Sequence, residues 1–119
     1  MSLVLKKLDT YFWPINFKMP IDDGKYQSVK FSCQFKRIKQ REVEEFQKKF
    51  SVTDLNLLFE ASRECAHQVV VGWKDVLDEE GNNIEFNHEN LDQLLEIPTL
   101  AIAVSTTYIS SLTESKSKN

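Results

Sequence analysis

Cys33, Cys65, His67 and His88 are side chains whose types suit metal ligation or nucleophilic attack, and their spacing supports neither. Zinc sites draw on closely spaced pairs such as C-x2-C and H-x3-H, a pattern that Cys65, His67 and His88 do not form, so no metal site is assigned. With two cysteines and no C-x-x-C, a disulfide framework has no support. Each thiol is read as reduced and buried, behaving as a small hydrophobe. Neither cysteine has a signature pairing it with a histidine, and no G-x-S-x-G is present. Gly24, Gly72 and Gly81 are too scattered to cradle a phosphate. No catalytic residue and no cofactor is assigned, and the chain is not expected to be an enzyme.

The acidic stretch after Val76 offers oxygen chemistry. Asp78, Glu80, Asn82, Ile84 and Glu89 fall at positions 1, 3, 5, 7 and 12 of a calcium-binding EF-hand loop. The match fails at the position that must turn sharply, where Asn83 replaces glycine and Gly81 comes two residues early. A polar turn between two short extended pieces accounts for the same residues.

Composition narrows the class further. At 119 residues, 41% hydrophobic and 28% charged, the chain suits one globular domain with its own core. The longest apolar-rich run, Leu100 to Leu112, is broken by Ser and Thr and falls short of the roughly 20 residues a bilayer needs. The lysines of MSLVLKKLDT follow the apolar piece, the wrong order for a secretion signal, so a cytoplasmic protein is expected. Charge is uneven: residues 1–50 hold eleven Lys/Arg against six Asp/Glu, and residues 51–119 hold four against twelve. Opposed fields of this kind could orient copies of the protein head to tail. Lys36, Arg37, Lys39 and Arg41 form a basic cluster, but Glu42, Glu44 and Glu45 follow at once, which disfavours nucleic acid as a partner.

The elements that position these residues follow from periodicity. Trp13, Ile15, Phe17 and Met19 alternate, as do Val29, Phe31, Cys33 and Phe35, predicting two strands joined around Asp22, Asp23 and Gly24. Pro14 and Pro20 confine the first strand to an edge. Val43, Phe46 and Phe50 predict a helix over Gln40 to Phe50. Thr53 is the expected cap of a central core helix with the stripe Leu55, Leu58, Phe59, Ser62, Cys65, Ala66 and Val69, ending between Val70 and Trp73. Ile84 to Phe86 reads as a short extended connector, and Asn87 caps a helix carrying Leu91, Leu94 and Leu95. Pro98 fits the first turn of a last helix with Leu100, Ala101, Val104, Tyr108, Ser111 and Leu112 on one face. Ile102 and Ile109 project elsewhere, giving that helix a wide apolar surface. The fold expected is α+β, an N-terminal β-hairpin packed on a mainly helical body of about four helices, over residues 1–112. Residues 113–119 are expected to be a disordered polar tail.

With no catalytic constellation, interaction is the remaining chemistry. Trp73, Ile84, Phe86, Ile102, Tyr108 and Ile109 are the candidate protein-interaction residues, since aromatic and branched apolar anchors dominate such surfaces.

Two runs carry a family resemblance. One is V-x-F-x-(A/C)-x-F-K-R, here Val29 to Arg37; the other is W-x-x-V-x-D-E-x-G-x-x-(I/V)-x-F, here Trp73 to Phe86. With the leucine-containing and proline-started helices that follow, the chain resembles the tail assembly chaperones of long-tailed bacteriophages and prophages, from roughly Gln27 to Leu112. The resemblance implies a non-enzymatic protein of the bacterial host cytoplasm, absent from the mature virion. It implies binding to the tape measure protein, which the chaperone keeps soluble, and recruitment of the tail tube protein, with homo-oligomers as an option. Family members are often extended by a translational frameshift, of which Thr113 to Asn119 would be the unextended ending. Two other classes stay open: a structural tail or head-tail connector protein, and a small nucleic-acid-binding regulator.

Overall fold

The alternating runs at the start of the chain form a long antiparallel hairpin of β1 (Thr10–Ile21) and β2 (Lys25–Lys36). The computed structural model describes residues 2–5 and 9–113. Pairing is continuous from Thr10 opposite Lys36 to Ile21 opposite Lys25. The connection is a single tight turn, Asp22–Gly24, in which Asp23 and Gly24 take φ of 64° and 71°. Asp and Gly are among the residues that tolerate this left-handed backbone. The register sets Ile15 against Phe31 and Trp13 against Cys33, so the apolar positions of both strands share one face. β1 lies at the sheet edge, where its two prolines remove no ladder bond that a further strand would need.

α1 (Gln40–Phe50) buries Val43 and Phe46, and its first turn is closed by Glu42, whose carboxylate accepts the Lys39 N–H at 3.0 Å. α2 (Leu55–Val69) begins one residue later than the Thr53 cap expected: Asp54 is the cap, accepting from the backbone N–H groups of Asn56 and Leu57. A carboxylate facing the positive end of the helix offers the stronger acceptor of the two neighbours.

α2 ends at Val69, and the chain turns directly into a third strand, β3 (Val70–Lys74). β3 pairs antiparallel with β2, making a three-stranded sheet in the order β1-β2-β3. This strand is absent from the sequence-based reading, which placed only a helix end here. Three consecutive valines lose side-chain freedom in a helix and fit a pleated surface well. Gly72 sits opposite Gln34, whose side chain crosses the space a Cβ would fill and donates to Thr10 Oγ1 at 3.0 Å.

Asn87 caps α3 (His88–Leu95) as expected, accepting the Asn90 N–H at 2.8 Å. α4 (Leu100–Thr113) starts after Pro98 rather than around it; the turn includes Thr99 at φ 66°. The helix takes in Thr113, the first residue of the expected tail, and residues 114–119 lie outside the described residues.

The core lies between the odd-numbered face of the hairpin and helices α2 and α4. Ile15, Cys33, Phe35, Cys65, Val69, Val104 and Tyr108 are fully enclosed there. Phe35 and Tyr108 meet edge-on with centroids 4.9 Å apart, and the Tyr108 hydroxyl donates to the Lys36 carbonyl at 2.8 Å. At the outer end of α4, Ser111 donates to the Tyr108 carbonyl, leaving its oxygen to accept from the Tyr11 hydroxyl at 2.7 Å.

Candidate interaction surface

The six sequence-predicted interaction residues fall in three places. Trp73, Ile84 and Phe86 come together. Past β3 the chain runs through Asp75, at φ 67°, to the Asp78–Asn82 turn, where it reverses so that Asn83 bridges back to Leu77 and Ile84 to Val76. The Trp73 Nε1–H donates to the Ile84 carbonyl at 2.8 Å, and its ring meets Phe86 edge-on at 5.0 Å. The Ile84 N–H reaches the Val76 carbonyl at 2.8 Å, and Asn90 Nδ2 holds the Glu85 carbonyl from α3. All three apolar side chains are half-buried, with one side packed and one open.

Ile102 lies elsewhere. It lines a groove of about 190 Å³ between α2 and α4, together with Phe59, Arg63, Ile97, Pro98 and Ala101. Ile109 packs half-buried against the core. Tyr108 is wholly enclosed, with its hydroxyl committed to Lys36, and offers no surface to a partner. Helical spacing put it on the inward face, and the structure places it at the centre of that face.

Apolar side chains are also exposed at the start of α2, where sequence reasoning placed Leu55, Leu58 and Phe59 on the core stripe and left Leu57 off it. Leu55 is 58% and Leu57 50% exposed, and Leu58 and Phe59 are half-buried. Leu57 lines a second groove, of about 450 Å³, between α1 and α2, with Val52 and Ala61 on its floor and Lys49, Glu60 and Glu64 at its edge. Lys49 and Glu64 bridge that edge at 3.1 Å. The N-terminal half of α2 is therefore flanked by grooves on both sides, with apolar side chains directed into each. A signal was present: four of the five residues Leu55 to Phe59 are apolar, more than one buried stripe can use.

The thiols are chemically quiet. Burial pushes Cys33 up to about 12, and Cys65 up to about 11 with a hydrogen bond to Ser105 drawing it partly back. Nucleophilic thiols need the opposite shift. The acidic turn is organised for its own backbone: Asp78 Oδ1 accepts from Glu80 and Asn82 N–H at 2.9 Å each, and Gly81 takes φ 85°. Leu77 and Asn83 bridge across the turn, which is the turn between extended pieces expected from sequence. In the basic cluster Arg37 is paired with Asp9 and lies over the Tyr11 ring at 4.6 Å. Among the described residues, one group, His67, His88 and Asp92, brings ligand atoms close enough to hold a metal. No single described helix is long and apolar enough to cross a membrane.

An α+β domain with paired apolar grooves and inert thiols fits a binding protein, and comparison with known families agrees. The family model described as phage tail assembly chaperone matches residues 1–119, and the chain belongs to that family. No curated protein and no solved structure matches it.

Proposed function

We propose that this tail assembly chaperone binds the tape measure protein, keeps it soluble and brings tail tube subunits to it in the host cytoplasm, without entering the mature virion. The observation that carries the reading is the uncovered apolar half of α2, with Leu55 and Leu57 at least half exposed between two grooves. A long amphipathic helix binds by laying its apolar stripe into such a groove, with side chains at i, i+3, i+4 and i+7 as anchors. With Glu64 paired to Lys49, Glu60 leaves the groove edge one net negative charge, which favours a partner helix with a basic flank. Phe59 and Ile102 contribute from the α4 side, and the Trp73, Ile84 and Phe86 cluster forms a second contact area for a subunit or a further copy of the chain.

Co-expression with the tape measure protein, followed by a solubility assay and co-purification, tests this reading. The expected result is a soluble complex that forms only when the chaperone is present. An insoluble tape measure protein that never co-purifies would refute it, and recovery of the protein in purified particles would favour a structural virion role instead.

A further inference from the structure

His67 stands in the last turn of α2, and His88 and Asp92 stand four residues apart on α3, so one face of α3 presents both. Their ligand atoms converge. His67 Nε2 lies 2.8 Å from Asp92 Oδ1, His88 Nε2 lies 3.9 Å from Asp92 Oδ2, and the two imidazole centroids are 5.0 Å apart. One ligand atom from each of the three residues fits within 4.8 Å of the others. We propose that His67, His88 and Asp92 bind a zinc-class divalent cation that ties the start of α3 to the end of α2.

The donor set selects the ion. Two imidazoles and one carboxylate, with water completing the shell, suit zinc and its neighbours, whereas magnesium and calcium prefer oxygen alone. Tetrahedral zinc places its ligand atoms about 3.4 Å apart, so closing the site needs side-chain movements of about 1 Å. His88 and Asp92, with side chains 80% and 53% exposed, have room to make them, and His67 at 29% supplies the fixed point. Ligating histidines usually donate their second N–H to an acceptor. His67 Nδ1 is buried without a partner among the described residues, and such a missing outer bond typically costs about 10–100-fold in affinity, as seen for lost outer-shell partners. The site is therefore a labile one that tightens the fold when the ion is present, not one that the fold requires. Its mechanical consequence reaches the interaction surface, because His88 follows the Asn87 cap and Phe86 directly.

A plain hydrogen bond between His67 and Asp92 would explain the shortest of these distances without a metal, but it would give His88 no part. His88 is the discriminating residue. The test is titration of the untagged full-length protein with zinc chloride, read by calorimetry and by the imidazole NMR signals, with magnesium chloride as the control. The expected result is one zinc per chain with micromolar affinity, joint shifts of the His67 and His88 ring signals, and no response to magnesium. His88→Ala and Asp92→Asn should each weaken zinc binding at least about tenfold, while metal-free thermal transitions confirm that both variants fold. Absence of zinc binding tighter than about 1 mM would overturn the proposal. Wild-type affinity in His88→Ala would overturn it equally. Neither result bears on tape measure binding, which the proposal does not use.

Discussion

Ser105 on α4 donates its hydroxyl to the Ser62 carbonyl on α2 at 2.8 Å, joining the two core helices through a bond that solvent does not reach. The Ser62 hydroxyl, equally buried, has no partner among the described residues. The two serines should therefore respond to alanine with different signs. Ser105→Ala loses a buried bond and should cost about 1 kcal/mol. Ser62→Ala removes an unsatisfied polar group from the interior of a helix and should be neutral or stabilising by about 0.5 kcal/mol. Urea unfolding of both variants beside the parent measures the difference directly.

The buried thiols predict an alkaline limit to stability. Cys33 and Cys65 have folded values of about 12 and about 11 against an ordinary 9.0, so the unfolded chain gives up these protons first. Burial raises Tyr108 in the same direction. Their contribution is complete below pH 9, and falls as pH rises toward 11 and 12, by up to about 1.4 kcal/mol per pH unit for each group ionised only in the unfolded state. Thermal midpoints measured from pH 7 to pH 11 should be level at first and then fall, and Cys33→Ala should shallow the fall. The same burial should leave both thiols unreactive toward Ellman's reagent until the protein is denatured.

Trp73 holds the connector through one hydrogen bond and one ring contact. Trp73→Phe keeps an aromatic ring but cannot donate to the Ile84 carbonyl, so a loss of about 1 kcal/mol is expected. Hydrogen exchange should quicken in residues 76–86 and remain unchanged in α2.

Much of this architecture was legible because its periods are clean. Alternation at Ile15, Phe17, Phe31 and Cys33 marks the hairpin, and Val43, Phe46 and Phe50 mark α1. β3 was not legible, since Val69 to Trp73 is a short apolar run whose period cannot separate the end of a buried helix from a strand. The inward stripe of α2 holds for Ser62, Cys65, Ala66 and Val69, but fails at Leu55 because no described element covers that half of the helix. Trp73, Ile84 and Phe86 were found in sequence and do meet, whereas Ile102 and Tyr108 share a helix with different fates. His67 and His88 were weighed in sequence beside Cys65 and set aside on spacing, and Asp92 was missed, because the group joins two helices and metal-ligand spacing along the chain detects only ligands that are close in sequence.

The central claim is that the N-terminal half of α2 is a binding surface. The most direct measurement compares the parent with a Leu55→Asp, Leu57→Asp double variant for co-purification with the tape measure protein, alongside thermal unfolding of the free proteins. Because both leucines are exposed, the midpoint should stay within a few degrees of the parent, as surface substitutions usually allow. Binding should fall at least tenfold, the loss expected when an apolar anchor of about 1.4 kcal/mol or more is removed. A folded double variant that carries the tape measure protein as well as the parent does would contradict the account.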